Sequence, residues 1–269
     1  MEYFIKIKQR LKSLLGFDVQ GKYLKIQKSD VFITEYPKSG ITWISFIVAN
    51  LISDREISFS NFRSFVYPIY SLDKSYLDSI AGKRYFKSHE PYQPSYPKVL
   101  YLLRDPRDVS ISYYNWFKKY RIDFNDSFDE FLLDFLTGGV SNYGSYKNHV
   151  TDWIENSKDN KKFMCIRYED VIRDSYCEVK KIAIFLEISI SDEKILDAIK
   201  LSSFSNMQKL EHKETNSTFF DKSNNKLRFV RKGKVNAWKT ELTEGQKELF
   251  KKHLGQFLID YNYEQNLDW

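Results

Sequence analysis

The stretch VFITEYPKSGITW, residues 31–43, places an apolar run, a Pro-Lys-Ser-Gly turn and the start of a helical pattern in direct succession. At the start of a helix several backbone N–H groups lack an intrahelical partner and point outward with the positive end of the helix dipole, which suits a phosphate. Gly40 lets the backbone come close, and Lys38 brings a mobile positive charge. Ser39 and Thr42 offer hydroxyl groups. The stretch therefore predicts an anion site where a strand meets a helix.

This turn differs from the Walker A loop of nucleoside triphosphatases. In that loop the lysine follows the second glycine of GxxxxGK[ST], whereas Lys38 precedes Gly40. A bare PKSG turn would be read as an ordinary connection with a solvated lysine, but the longer string YPKSGITW favours an anion site. A P-loop-type kinase with an atypical phosphate loop stays as an alternative.

A second candidate phosphate site lies in VLYLLRDPRDVSISYYNWF, residues 99–117, where an apolar run ends at Arg104 and a helical pattern begins at once. Asp105 suits an N-cap, and Pro106 suits a first helical residue. Arg104 then lies at the carboxyl edge of a strand, where open α/β sheets bind ligands, and Ser112 follows on the adjoining helix. Both could hold one phosphate, although RDPRD alone would equally fit a salt-bridged helix start.

A third basic segment, FVRKGKVNAWK at residues 229–239, places Arg231, Lys232 and Lys234 around Gly233. Such a loop can close over an anion, while the alternative is a solvated run of charges. Before it, the polar stretch Glu211–Lys226 lacks periodicity and predicts a surface loop or a lid. Three separate segments of this kind favour a common anionic ligand over coincidence.

The chain as a whole alternates short apolar runs with helical patterns. Runs rich in Val, Ile, Tyr and Phe predict strands at Val31–Tyr36, Arg84–Lys87, Val99–Leu103 and Lys162–Arg167. Apolar spacing of three to four residues predicts helices at Thr42–Leu51, Pro106–Lys119, Ser127–Leu136, Tyr143–Glu155, Asp170–Phe185, Asp192–Ile199 and Gly245–Tyr261. This alternation predicts an α/β fold with a central parallel sheet flanked by helices.

Composition favours one domain over residues 1–269. Hydrophobic residues make up 42% of the chain and aromatic residues 17%, which is enough to build a sizeable core. No apolar run approaches the roughly 18 residues of a membrane span, and charged residues interrupt the N-terminal stretch, so we expect a cytoplasmic protein. Cys165 and Cys177 are too few for a disulfide framework. The net charge of +6 suits nucleic acid, a membrane surface or a polyanionic small molecule.

Together YPKSGITW, LLRDPRDVSISYY and FVRKGKVNAWK resemble the cofactor signatures of the cytosolic-type sulfotransferase family, and KSHEP and IRYED fall where that family would have them. The resemblance runs from about Val31 to Glu248. It implies a P-loop-type α/β domain with helices on both faces of the sheet. It also implies transfer of a sulfuryl group from 3′-phosphoadenosine 5′-phosphosulfate (PAPS) to an acceptor hydroxyl or amine, with adenosine 3′,5′-bisphosphate (PAP) as product and no metal ion.

The resemblance also implies roles for individual residues. The loop around the 5′-phosphosulfate would comprise Lys38, Ser39, Gly40, Thr42 and Trp43, with Trp43 near the adenine. The 3′-phosphate would be held by Arg104, Ser112, Arg231, Lys232 and Gly233. The adenine would contact Tyr168, Ser202, Phe204 and Met207, and Phe229 is counted with the cofactor-binding residues.

The chain also departs from the family pattern. Ile41 replaces the first of two threonines, RDPRD stands where Asn and Lys are common, and Glu90 stands where Leu is common. Lys239, Thr243 and Glu248 resemble the family's dimer motif, although Glu244 occupies an apolar position of it. A homodimer therefore stays open.

His89 in YFKSHEP suits a general base, because an imidazole can accept the acceptor's proton at neutral pH. Lys38 and Lys87 suit stabilisation of the charge on the departing phosphate. Glu90 is a second candidate base or a residue that orients His89. The other histidines, His149, His212 and His253, are interpreted as structural.

Other functions fit less well. The sequence contains no HExxH, no GxSxG and no carboxylate cluster spaced for magnesium, which excludes the metalloenzyme and serine-hydrolase interpretations. A non-enzymatic nucleotide-binding module is an alternative, but the basic residues do not form the continuous stripe of a nucleic-acid binder. The acceptor would be a small molecule or a carbohydrate. Aromatic residues between Phe59 and Tyr70 could line its pocket, but their spacing favours core packing.

Overall fold

The computed structural model describes residues 25–69, 74–121, 123–214, 229–230, 233 and 235–269. The predictions for the N-terminal stretch, for Arg231, Lys232 and Lys234, and for most of the proposed lid, residues 215–226, lie outside the described residues.

Within that part of the chain, five strands form one sheet: β1 (Val31–Glu35), β2 (Val66–Pro68), β3 (Tyr85–Ser88), β4 (Val99–Leu103) and β5 (Phe163–Arg167). All neighbouring strands pair in parallel, in the order β2-β3-β1-β4-β5. The carboxyl ends of all five strands therefore meet at one edge of the sheet. The predicted strands correspond to β1, β3, β4 and β5, whereas β2, with three residues, was not predicted.

Helices connect and follow these strands. Their bounds are Ile41–Ile52 (α1), Lys74–Ser79 (α2), Pro106–Tyr120 (α3), Phe128–Thr137 (α4), Tyr146–Glu155 (α5), Tyr168–Arg173 (α6), Ser175–Phe185 (α7), Asp192–Leu201 (α8), Phe204–Lys213 (α9), Trp238–Glu241 (α10) and Glu244–Asp260 (α11). A short 3₁₀ turn, Phe62–Ser64, precedes β2. In the described chain no helix is both long and apolar enough to cross a membrane.

Both faces of the sheet are buried by helices. Phe32, Tyr101 and Leu103 pack into one apolar core with residues of α3, α4, α5 and α11. Val31, Ile33 and the alternate residues of β4 pack into a second core with α1, α7 and α8. Side chains alternate between the faces of a strand, so strands covered on both sides must be apolar throughout. The predicted α/β fold with a central parallel sheet and helices on both faces is confirmed.

One helix prediction and the start of the predicted loop are corrected. The helix predicted at Asp170–Phe185 is two helices, because Asp174 adopts a non-helical backbone and its side chain accepts from the N–H of Cys177 as the N-cap of α7. The stretch expected to lack structure from Glu211 onward begins inside α9. Glu211 is buried there, and its carboxylate accepts from the backbone N–H groups of Phe229 and Val230.

The aromatic residues after α1 belong mainly to the core, as their spacing predicted. Phe59 and Phe62 are buried against Phe46 and Met207 in a third apolar cluster, and Tyr67 is buried in the first.

A buried ion pair stabilises the amino-terminal edge of the sheet. The guanidinium of Arg84 donates to both carboxylate oxygens of Asp30, at 2.8 and 2.7 Å, and neither side chain is exposed. It also donates to the carbonyl oxygens of Lys25 and Leu77. Loss of one partner from such a pair leaves a buried charge uncompensated, which typically costs about 3–5 kcal/mol.

Candidate active site

A cavity of about 540 Å³ opens at the carboxyl edge of the sheet. Its walls come from the segments that follow β1, β3 and β4, and from α1, α3, α6 and α9. Thirteen predicted site residues line it: Lys38, Gly40, Thr42, Trp43, Lys87, His89, Arg104, Ser112, Tyr168, Phe204, Met207, Phe229 and Gly233. Segments far apart in the sequence meet here because parallel strands deliver their following loops to the same edge.

The turn after β1 has a backbone that requires glycine. Lys38 and Gly40 have positive φ angles of 80° and 121°. A Cβ atom on Gly40 would lie 2.8 Å from Cδ2 of Tyr168 and could not be accommodated without movement. The turn ends at α1, whose N-cap is Gly40 and whose first residue is Ile41. The N-terminal amides of a twelve-residue helix therefore lie beside the cavity, as the sequence predicted for an anion site.

Glu35, the last residue of β1, lies under this turn. Its side chain is 1% exposed, and Oε2 accepts from the N–H of Ile41 at 2.7 Å. Burial raises the pKa of Glu35 to about 8, while the charges of Lys87 and Lys38 act in the opposite direction. An acidic side chain with a raised pKa thus lies within the cluster of cations predicted to bind a phosphate.

Burial lowers the pKa values of the two lysines in the cavity, Lys38 and Lys87. Burial lowers the pKa of Lys38 to about 7, and the charge of Glu35 partly opposes this shift. Burial lowers the pKa of Lys87 as well. The ammonium of Lys87 lies 3.4 Å from the Thr42 hydroxyl. This contact joins the end of β3 to the start of α1. A bound anion would favour the charged form of both lysines.

His89 follows β3 and faces the same cluster. Its Nδ1 lies 3.4 Å from the carbonyl oxygen of Glu35 and 3.9 Å from Oε1 of the Glu35 carboxylate. Because the carbonyl can only accept, this contact assigns the proton to Nδ1 and the lone pair to Nε2. Burial, with a smaller effect from Lys87, holds the pKa of His89 well below its usual value, so the ring is neutral near pH 7.

A buried histidine fixes the backbone at His89. Nε2 of His149 lies 3.1 Å from the carbonyl of His89 and 3.0 Å from that of Glu90, and Trp153 Nε1 also donates to the Glu90 carbonyl. Two carbonyl partners require a proton on Nε2, so Nδ1 of His149 accepts from the Tyr101 hydroxyl at 3.0 Å. His149 is thus structural, as its interpretation from the sequence stated, and it supports the segment that carries His89.

The second candidate phosphate site adjoins the first. Asp105 is the N-cap of α3 and accepts from the N–H of Arg107, and Pro106 is the first helical residue, which confirms both predictions. The guanidinium of Arg104 lies 4.2 Å from the ring centroid of Tyr168 and donates to the Lys38 carbonyl at 3.3 Å. Stacking and this hydrogen bond hold its positive charge against the turn that contains Lys38.

The chain matches the family model described as the sulfotransferase domain over residues 28–262. The chain belongs to the sulfotransferase family. It is 30% identical to the 3-beta-hydroxysteroid sulfotransferase of Cavia porcellus, over 91% of this chain and 88% of that protein, and 28% identical to the amine sulfotransferase of Oryctolagus cuniculus, over 88% and 83%. Its structure is similar to that of the mouse sulfotransferase SULT7A1 complexed with PAP, with a TM-score of 0.73, 26% identity and coverage of 92% and 93%. The family and enzyme class expected from the sequence are confirmed.

Two serines of this sulfotransferase do not line the cavity. The Ser39 hydroxyl, expected to face a phosphate, is 1% exposed and donates to the Tyr36 carbonyl at 2.9 Å. The Ser202 hydroxyl is buried and accepts from the Asn50 amide, while the Ser202 carbonyl accepts from Trp43 Nε1 at 2.9 Å. Both serines are satisfied within the protein, so they shape the walls around Lys38 and Trp43.

The sulfotransferase cavity also contains residues that sequence reasoning missed. Glu35 could have been identified from the sequence, because it is the single charged residue in the strand VFITE. An aromatic wall, with one cation, consists of Arg63, Tyr113, Trp116, Tyr120 and Tyr143. Three of these follow Arg104 on α3, so the helix spacing after RDPRD would have indicated them. In the described part of the chain no group of three or more His, Cys, Asp or Glu side chains could hold a metal ion.

Proposed function

We propose that this sulfotransferase uses PAPS as donor and transfers its sulfuryl group to the hydroxyl or amine of a small-molecule acceptor, with His89 as the general base. The observation that carries the proposal is that one cavity contains the glycine turn before α1, Arg104 with Ser112, and His89 with Lys87. These groups supply two sites for anions and a base between the ends of three neighbouring strands.

The residues present fit a nucleotide with two phosphate positions. The turn at Lys38–Thr42 offers helix amides and a lysine, while Arg104 and Ser112 offer a second cation and a hydroxyl from the following strand and helix. Gly233 passes so close to Phe204 that a Cβ atom there would lie 2.6 Å from its ring. This close approach places Gly233 in the cavity wall, beside Phe229.

In the proposed reaction the acceptor oxygen or nitrogen forms a bond to sulfur, and the bond between sulfur and the bridging oxygen breaks. The electron pair leaves with the 5′-phosphate of PAP, and the acceptor's proton moves to Nε2 of His89. PAPS supplies an activated sulfuryl group, and the chain supplies position and charge. Lys38 and Lys87 stabilise the charge that develops on the departing phosphate.

The aromatic wall supports an apolar or aromatic acceptor. Tyr113 and Trp116 lie on α3 beside the cavity, and the ring of Tyr143 lies 5.7 Å from that of His89, centroid to centroid. An acceptor stacked on these rings would have its hydroxyl or amine near the base.

Incubation of the protein with PAPS and a panel of phenols, steroids, amines and sugars, followed by mass spectrometry, tests the proposal. We expect a sulfated product from at least one member of the panel, formed together with an equal amount of PAP. Magnesium-dependent turnover of ATP without sulfated product would contradict it and favour the kinase alternative.

A further inference from the structure

The carboxylate of Glu35 lies at the amide that the donor's phosphosulfate group is expected to use. The N–H of Ile41, the first residue of α1, donates to Glu35 Oε2 at 2.7 Å. The N-cap, Gly40, has no side chain to offer this amide. Exposed amides at a helix N-terminus are the groups that bind a phosphate. Glu35 therefore accepts from an amide at this helix end that a bound phosphate would also use.

Cations surround this carboxylate. At 1% exposure it has almost no contact with solvent, so when it is ionised neighbouring protein groups must balance its charge. The titratable and charged groups that face it are Lys38 in the turn, Lys87 in β3, His89 after β3, Tyr101 in β4 and Arg104 after β4. Three of these five are the cations proposed to hold the donor.

We propose that Glu35 is a built-in counter-ion of the donor site: in its ionised form its carboxylate balances the phosphate-binding cations, and it is protonated or displaced when the donor binds. This inference deepens the proposed function and rests on it. Glu35 would then tune the affinity for donor and product without contacting the acceptor.

Protonation decides how strongly Glu35 opposes an anion. Burial raises the pKa of Glu35 to about 8, so its neutral form predominates at pH 6 and its charged form predominates above pH 8. A neutral carboxylic acid does not repel a bound phosphate, whereas a carboxylate does. The raised pKa means that a Glu35 charge opposes binding only as the pH rises through this value.

The test compares wild-type protein with Glu35→Gln, whose amide oxygen still accepts from the N–H of Ile41. Calorimetric titration with PAP is performed at pH 6 and pH 8.5. At pH 8.5 we expect Glu35→Gln to bind PAP at least about tenfold more tightly than wild type, equivalent to about 1.4 kcal/mol. At pH 6 we expect a difference below about twofold.

Two features make this comparison specific. The charge of Glu35 raises the pKa of Lys38 and Lys87, so its removal weakens their charge and works against tighter binding. A gain in affinity therefore cannot come from the lysines. Glu155→Gln is the matched control, because it removes the same charge from an exposed ion pair with Lys158 away from the cavity. It should bind PAP as wild type does at both pH values.

Equal affinity of wild type and Glu35→Gln for PAP at pH 8.5, or weaker binding by the variant, overturns the counter-ion role and leaves the proposed function intact. Titration with inorganic phosphate covers the opposite case. If neither protein binds PAP while Glu35→Gln binds phosphate more tightly at pH 8.5, the PAPS site is refuted and the counter-ion role is supported. Glu35→Ser, which also lacks the charge, replaces the glutamine variant if that protein does not fold.

Discussion

Replacement of Arg104 by alanine should weaken donor binding without unfolding the protein. On the cavity wall, the guanidinium lies 4.2 Å from the ring centroid of Tyr168 and donates to the carbonyl of Lys38 at 3.3 Å. Removal of a charge-assisted partner from a bound phosphate costs about 2–4 kcal/mol. Since about 1.4 kcal/mol corresponds to tenfold, the affinity for PAP should fall by about 30-fold to about 1,000-fold.

Isothermal titration calorimetry with PAP measures this loss, and circular dichroism checks the fold. Arg167→Ala is a matched control, because Arg167 also lies over a tyrosine ring, that of Tyr263 at 4.1 Å, and donates to a backbone carbonyl, but does not line the cavity. Its PAP affinity should equal that of wild type. Unchanged affinity in folded Arg104→Ala, or equal losses in both variants, would refute the assignment of Arg104 to the donor.

Three further predictions concern stability and ligand choice. Arg84→Ala should lower the free energy of unfolding by about 3–5 kcal/mol in urea titrations, because it leaves the buried Asp30 carboxylate without its cation. Arg84→Lys keeps the charge, so its free energy of unfolding should fall by less. Burial lowers the pKa of His149 from 6.5 to about 4, so between these values the unfolded chain binds a proton that the folded chain excludes. The free energy of unfolding should therefore be unaffected by His149 above pH 6.5 and should fall by up to about 3 kcal/mol as the pH falls toward 4. His149→Gln should reduce this loss between pH 7 and pH 4.5, and an identical loss in the variant would contradict the explanation. PAP at a hundredfold excess over its Kd should stabilise the fold by about 2.7 kcal/mol in thermal unfolding, and equal shifts with AMP would argue against a 3′-phosphate site.

The sequence allowed prediction of the features that depend on local chemistry. The strand VFITE, the glycine turn and α1 follow from apolar pattern, backbone freedom and helix-end amides within a few residues. The cap at Asp105 and Pro106 follows for the same reason. Because a parallel sheet gathers its carboxyl ends, the positions of Lys38, His89 and Arg104 in one cavity could also be expected.

Features that depend on tertiary contacts could not be predicted in this way. The raised pKa of Glu35 results from enclosure by residues of three strands, and the support of His89 by His149 joins residues 60 positions apart. Ser39 matched a phosphate-binding pattern, but its hydroxyl donates to the Tyr36 carbonyl, which belongs to the same turn. The break at Asp174 was hidden because apolar spacing continues across it, and β2 is too short to show a period.

The most direct test of the central claim is the turnover of His89→Ala and Glu90→Ala with PAPS and an acceptor that the panel shows to be sulfated by wild type. The affinity for PAP is measured in each variant as well. His89 lines the cavity, whereas the contacts of Glu90 with His149 and Trp153 are made by its backbone carbonyl. We expect His89→Ala to bind PAP as wild type does and to lose a factor of about 10²–10⁴ in turnover, with a smaller loss in Glu90→Ala. Near-normal turnover in His89→Ala would contradict the assignment of the base.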